Sequence, residues 1–218
     1  MLWALVPAKL SSTAKERLAP ALSPELRMEL ARAMLSDVLA ALGQVETMAG
    51  AAVISRDPET LELAASLGAR LLVEQPCEGL NQAVAQGVKG CIGLGATAVL
   101  IAMGDIPLLS PDELRAVATR LPPRGVVLTP SADGTGTNLL VARPPDVMPT
   151  HFGPGSLALH RRAGAELGLE VVISEAPGAA LDIDTLADLV RLSRFADRST
   201  ATHRALAAAC QRGEWQIV

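Results

Sequence analysis

The sequence predicts an α/β protein: a mostly parallel mixed sheet with helices on both faces. Three observations carry that prediction. Short apolar runs alternate with helical segments along the first two-thirds of the chain. Helical segments open on a capping residue followed at once by proline, as at Ser23-Pro24, Asp57-Pro58 and Ser110-Pro111. Val99-Leu-Ile-Ala-Met-Gly-Asp-Ile-Pro107 is an uncharged run that stops at Gly104 and an acid. Runs of that kind suit a strand covered on both faces.

The elements follow in order. Residues 2–6 form the first strand, and Pro7 ends it. A polar loop covers residues 8–20. In the next helix Leu26, Leu30, Met34, Val38 and Leu42 recur at helical spacing, and Gly43 stops it. Strands at 51–55 and 69–73 flank a helix over 57–67, closed by Gly68. A helix starts near Gly79 and runs to about Val88. The central strand lies over 96–103, and Pro107 bars further pairing there. A helix over 111–121 comes next, then strands at 126–129 and 139–142. A helix over 156–167 precedes a strand at 169–174. Leu181-Asp-Ile-Asp184 is an acidic turn that starts a helix to Phe195. Residues 200–210 read as one more helix. The simplest organisation is one domain over 1–195, with a helical tail over 196–218.

Composition excludes several function classes. Of 218 residues, 50% are hydrophobic and 19% charged, which describes a packed core rather than a disordered chain. The formal net charge is -4, so no broad basic face is expected. Two Phe, two Trp and no Tyr leave little for stacking bases. Nucleic acid is therefore not an expected partner. Cys77, Cys91 and Cys210 lack CxxC spacing and read as small buried thiols of a reducing compartment. The uncharged run over 90–104 is glycine-broken and too short to span a bilayer, and no basic leader precedes an apolar core. A cytoplasmic protein with no membrane partner is the expectation.

Chemistry concentrates in a few stretches. Asp105 sits at the C-terminal end of a strand, where open α/β sheets bind ligands. It reads as a metal ligand in a nucleotide site, or as a turn aspartate bonded to its own backbone. Lys9, Lys15 and Arg17 lie within nine residues of an otherwise acidic chain. Such a cluster suits a triphosphate and its departing pyrophosphate, or is a solvated loop. No GxxxxGK[ST] phosphate loop is present. Asp182 and Asp184 would share one side of an extended segment. Two carboxylates there call for a cation, and magnesium suits oxygen ligands. Otherwise they are a cap and a first-turn acid, and Asp188 reads as helix surface.

Gly134-Thr-Gly-Thr137-Asn138 and Gly153-Pro-Gly-Ser156 are two glycine loops. They read as anion cradles for a second substrate bearing phosphate and carboxylate, or as plain turns. His151, His160 and His203 show no ligand spacing; His160 either supports the acceptor site or is structural. No Ser-His-Asp or Cys-His order stands out. A phosphate monoester, with a second pKa of about 6, is already a nucleophilic dianion at neutral pH. Such a reaction needs positioning and charge neutralisation rather than a base.

These residues, in this order, resemble a family. The ordered set is Val6-Pro-Ala-Lys9, Ala14-Lys15-Glu-Arg17-Leu18, Gly79-Leu-Asn81, Gly104-Asp105-Ile-Pro107, Gly134-Thr-Gly-Thr-Asn138, Phe152-Gly-Pro-Gly-Ser156 and Leu181-Asp-Ile-Asp184. It resembles the guanylyltransferases of coenzyme F(420) biosynthesis, which activate 2-phospho-L-lactate, phosphoenolpyruvate or 3-phosphoglycerate. The resemblance implies a Rossmann-like nucleotide-diphospho-sugar transferase fold over residues 1–195, with the acceptor-binding half near 133–180. It implies that Lys9, Lys15 and Arg17 hold GTP phosphates and, with Asp105, carry catalysis. Pro7, Ala8, Lys9 and Gly104 would border the nucleotide, and Gly79, Leu80 and Asn81 would lie near guanine and ribose. Asp105 with Asp182 or Asp184 would hold magnesium. Thr137, Asn138, Gly153 and Ser156 would hold the phosphorylated acid. The expected partners are GTP and a phosphorylated carboxylic acid, with room for a homodimer. Phosphoenolpyruvate is the first-choice acceptor, on the bacterial look of the chain. The Gly-x-Gly-x-x-Arg-Met-Gly loop of molybdopterin and sugar-phosphate nucleotidyltransferases is absent, which argues against that rival reading. Retention of all three acids speaks against a non-catalytic nucleotide sensor.

Overall fold

A computed structural model of the chain describes residues 1–10, 15–195 and 199–215. Loop residues 11–14, which include Ala14 of the second motif, and tail residues 196–198 and 216–218 lie outside the described residues. One sheet contains β1 (Leu2–Pro7), β2 (Met48–Ser55), β3 (Arg70–Val73), β4 (Ala98–Ala102), β5 (Gly125–Pro130), β6 (Thr137–Arg143) and β7 (Glu170–Ile173). Their order is β3-β2-β1-β4-β6-β5-β7. Strands β3, β2, β1 and β4 pair in parallel, as do β5 and β7. Strand β6 runs antiparallel to both of its neighbours. The mostly parallel mixed sheet is therefore as expected. The reversal at β6 has a local cause: six residues join it to β5, too few for a crossover.

Helices α1 (Pro24–Gly43), α2 (Pro58–Ser66), α3 (Gly79–Gly93), α4 (Pro111–Thr119) and α5 (Ser156–Glu166) fill the connections. The predicted caps form. Ser23 accepts from Leu26 N at 3.2 Å, and Asp57 from Thr60 N at 3.0 Å. Ser110 and Glu113 make a reciprocal capping box. Helix α3 runs past its expected end at Val88. Gly90 looks like a breaker in sequence, but close approach to the sheet explains the small residues at 87 and 90. A Cβ on Gly87 would come within 2.7 Å of Leu5, and one on Gly90 within 2.8 Å of Leu72. The 3-10 turn Glu16–Leu18 and the short helix α6 (Pro177–Ala180) lie where no element was expected.

Strand alternation divides the core. Val6, Leu100, Ala102 and Leu139 pack with Leu35, Leu39 and Val117 on one face. Leu5, Val99, Ile101 and Leu140 pack with Val84, Val88 and Phe152 on the other. A third cluster joins Leu30 and Met34 to Ile183, Leu192 of α7 (Leu186–Ser193), and Leu206 of α8 (Ala201–Gln211). Asp37 on α1 caps α8 from outside. Its carboxylate accepts from Ala201 N at 2.6 Å, Thr202 N at 2.9 Å and Thr202 Oγ1 at 2.6 Å. Of the three cysteines only Cys91 is buried; Cys77 is half-buried and Cys210 is exposed on the outer side of α8. This corrects the expectation of three buried thiols: Cys210 lies on the side of α8 away from the cluster it forms with α1 and α7, and Cys77 lies in the loop before α3. No described helix is long and apolar enough to cross a membrane.

The Asp37 cap gives a stability prediction. Asp37→Ala should lower unfolding free energy by about 1–2 kcal/mol, the usual cost of a lost cap. Urea unfolding of the two proteins measures it; an unchanged midpoint would show that α8 needs no such anchor.

Candidate active site

Strand β4 delivers Asp105 to the edge of the sheet, one short turn beyond Ala102. The backbone of Asp105 then ties down the second acidic stretch, because its carbonyl accepts from Ile183 N at 3.0 Å. Ile183 is fully buried, so the flanking Asp182 and Asp184 both turn outward into the site. Asp188 is not plain helix surface. It accepts from Thr185 N at 2.9 Å and Thr185 Oγ1 at 2.7 Å, completing the capping box that starts α7.

Lys15 closes the acidic cluster. Its Nζ donates to Asp105 Oδ2 at 2.6 Å and to Asp184 Oδ1 at 2.7 Å. The Lys15 side chain is 11% exposed, against 29% and 41% for its two partners. Burial alone would lower the Lys15 pKa; the carboxylates of Asp105 and Asp184 outweigh it and raise it above the ordinary lysine value. Lys15 is also the only non-glycine residue with positive φ among the described residues, at φ 54° and ψ 45°. That conformation costs about 1–2 kcal/mol, and it aims the ammonium between the two acids. Arg17 is 75% exposed and stands 3.9 Å from Asp184. Lys9 is exposed at the mouth of a cavity of about 230 Å³, lined also by Ala8, Lys15, Gly104 and Asp105. Pro7 ends β1 just before it.

A larger cavity of about 580 Å³ opens on the other side of Asp105. Asp182 and Asp184 line it opposite Thr137, Gly153 and Ser156. Asn138 is buried, and its amide nitrogen faces Ala179 O and Ala180 O at 3.0 Å and Asp182 Oδ1 at 3.2 Å. It therefore positions Asp182 and the segment before it. Asn81 is used in a similar way. Its carboxamide accepts from Phe152 N at 2.7 Å and donates to Phe152 O at 3.0 Å, clamping the second glycine loop to α3. Leu80, beside it, faces the cavity, while Gly79 supplies the φ of +78° that opens the helix. Sequence reasoning missed these clamping roles, and it missed Glu113. Beyond its capping box, Glu113 accepts from Gly178 N at 2.6 Å and anchors the approach to the acidic stretch. Asparagine and glutamate of this kind carry no local signature, since their partners lie far along the chain.

Carboxylates dominate the electrostatics here. Asp105 Oδ1 is buried and has no hydrogen-bond partner among the described residues. Burial raises the Asp182 pKa, and the charges of Asp105 and Asp184 add to it, against the lowering effect of the Asn138 bond. Among the described residues, however, no three acidic, histidine or cysteine side chains gather closely enough to hold a metal by themselves. The seat between Asp105 and Asp184 is taken by Lys15. Magnesium typically takes one or two carboxylates and completes its shell with phosphates and water. The free Asp105 oxygen beside Asp182 fits that pattern.

Known proteins resemble this chain over most of its length. The family model described as "Guanylyl transferase CofC like" matches residues 2–203. A phosphoenolpyruvate guanylyltransferase of Sphaerobacter thermophilus is 40% identical over 193 residues, covering 88% of this chain and 93% of that protein. A 2-phospho-L-lactate guanylyltransferase of Methanothermobacter thermautotrophicus is 36% identical over 187 residues, covering 85% and 81%. Among solved structures, a candidate nucleotide-diphospho-sugar transferase of Desulfovibrio desulfuricans superposes with a TM-score of 0.78. It is 19% identical, with 96% of this chain and 95% of that one covered. At that identity the likeness shows the fold, which is the predicted α/β class.

Buried His160 gives a pH prediction for the site. Burial, with some help from His151, lowers its pKa to about 4. The unfolded chain therefore takes up this proton first as pH falls. The stabilising contribution is complete above about pH 6.5 and is lost on the way down through pH 4. The stability gap between the unaltered protein and His160→Phe should shrink across that window, by an amount on the order of 1–3 kcal/mol. Denaturant titrations at several pH values measure it, and a constant gap would refute it.

Proposed function

This chain belongs to the CofC-like guanylyl transferase family, and on that premise we propose that it transfers GMP from GTP to a small phosphorylated carboxylic acid. Pyrophosphate is released, and the product enters coenzyme F(420) biosynthesis in the cytoplasm. One observation carries the reading: Asp105 borders two adjoining cavities, one beside Lys9 and Lys15 and the other beside Thr137, Gly153 and Ser156. A triphosphate beside the cations and a phospho-acid beside the glycine loop would meet at Asp105.

The chemistry asks little of the protein by way of proton transfer. An acceptor phosphate oxygen forms a bond to the α-phosphorus of GTP. The bond from that phosphorus to the bridging oxygen breaks, and pyrophosphate leaves with the electron pair. The acceptor dianion has no proton to lose at neutral pH. The remaining tasks are alignment and charge neutralisation. Lys15 meets the incoming phosphates first, because its ammonium already lies at the junction. Lys9, exposed beside the smaller cavity, would hold the departing pyrophosphate, and Arg17, which lines the larger cavity, would reach the phosphates from that side. Asp105 and Asp182 would hold magnesium, with Asp184 joining once Lys15 turns to the nucleotide. Bound there, magnesium supplies charge neutralisation on the phosphoryl oxygens. Thr137, Gly153 and Ser156 would seat the acid, with Asn138 acting through Asp182. Of residues 79–81, Leu80 is the one that lines the larger cavity, on the acceptor side of Asp105.

Phosphoenolpyruvate is the favoured acceptor. Bacterial relatives of that name reach 40% identity, against 36% for the phospholactate enzyme. The test is pyrophosphate release from GTP and magnesium with phosphoenolpyruvate, 2-phospho-L-lactate, 3-phosphoglycerate and a sugar phosphate. Release with a phospho-acid, fastest with phosphoenolpyruvate, is expected; release with the sugar phosphate alone would overturn the reading. Asp105→Asn should keep the fold, checked by circular dichroism, and cut turnover about 100-fold or more. Turnover within a few-fold of the unaltered enzyme would remove Asp105 from the reaction.

A further inference from the structure

His160 and Thr137 form a buried pair whose proton arrangement the structure decides. The backbone N–H of His151 donates to His160 Nε2 at 2.8 Å. A backbone N–H can only donate, so Nε2 must carry its lone pair. A neutral imidazole then holds its single proton on Nδ1. Complete burial, and a pKa lowered to about 4, keep the ring neutral at working pH. His160 Nδ1 lies 3.1 Å from Thr137 Oγ1. It follows that the ring donates and the hydroxyl oxygen accepts.

The consequence falls on the threonine proton. Thr137 is nearly buried, its oxygen is engaged by His160, and no acceptor for its own hydroxyl proton is found among the described residues. Thr137 nonetheless lines the larger cavity, beside Gly153 and Ser156. Its proton is left for whatever enters there. With the opposite tautomer, Thr137 would spend its proton on Nδ1 and turn a lone pair toward the cavity, which would repel an anion. We propose that His160 is a positioning residue that makes Thr137 an obligate hydrogen-bond donor to the anionic acceptor. The proposal rests on the reading of this cavity as the acceptor site. It adds the device that orients one of its donors. The edge of Phe152 packs on the same ring, with centroids 5.0 Å apart at 73°, so the ring's orientation is fixed along with its tautomer.

Long-range 15N–1H spectra of histidine-labelled protein read the tautomer directly and need no variant. His160 should show a protonated Nδ1 and a bare Nε2. His203 is the internal control: its Nε2 lies 3.1 Å from the carbonyl of Leu192, so it should show the opposite form. A protonated Nε2 on His160 would overturn the proposal. Calorimetry with phosphoenolpyruvate reads the consequence. Thr137→Val should weaken its binding about 10- to 100-fold, as for a lost hydrogen bond to a charged group. Thr137→Ser should restore it, and GTP affinity should stay unchanged in both. His160→Phe should weaken phosphoenolpyruvate binding in the same direction, and His160→Asn, which keeps an N–H for Thr137, should recover most of it. The double variant should bind no worse than Thr137→Val alone. Independent, multiplying effects, or a His160→Phe protein that binds phosphoenolpyruvate normally, would refute the coupling. If phosphoenolpyruvate and the related phospho-acids fail to bind the unaltered protein while His160 shows the Nδ1 proton, the acceptor reading falls and takes this proposal with it. If they bind but the tautomer is reversed, only this proposal falls.

Discussion

A single ammonium group holds the acidic cluster of this molecule together. Lys15 reaches from the first loop to bind one acid at the end of the central strand and another from a segment roughly 170 residues further on. A charged lysine with so little solvent survives because two carboxylates compensate its lost hydration. The same bond pattern keeps the two carboxylates from repelling each other. The chain accepts a left-handed backbone at Lys15 to obtain it, and strain of that sort gathers at functional sites. Much of the surrounding architecture serves to bring those three residues to one point. Parallel strands end on the same side of the sheet, and a buried isoleucine flips its neighbours outward. A glutamate on α4 and an asparagine on β6 brace the acidic segment from behind.

The arrangement also separates two tasks in space. Lys9 and Lys15 stand beside the smaller cavity, and Arg17 lines the larger one with Gly153 and Ser156 of the glycine loop that opens α5. Asp105 and Asp184 line both. A reaction that joins two phosphate-bearing molecules needs cations on both sides, because two anions must be brought together. Asn81 belongs to neither set, yet it fastens the glycine loop to α3.

Much of this was legible in the sequence, and the reasons are physical. Helix starts could be read because Ser, Asp and Pro act on the nearest turn. Strand β4 could be read because a covered strand has no choice but to be apolar. Asp182 and Asp184 could be placed on one side because extended chain alternates. What could not be read depends on distance through space. Gly87 and Gly90 of α3 look like breakers until Leu5 and Leu72 are seen pressed against them. Asn138 lines the larger cavity as a ligand residue would, but the three oxygens around its amide come from the distant α6 region and leave no trace near it in the chain. Asp188 looks like surface until it is seen closing a cap. The acids held the same lesson: Asp105 and Asp184 are bridged by the chain's own Lys15, a partner that lies far from both in the sequence.

The central claim is that the Lys15 ammonium is both the clamp between the acids and the first contact for the nucleotide. Calorimetric titration of GTP with magnesium into Lys15→Met, beside the unaltered protein, tests it most directly. The account predicts affinity lower by about tenfold or more, with the far-ultraviolet spectrum unchanged. Equal affinity in a folded Lys15→Met protein would contradict it, and would leave the lysine as a structural tie alone.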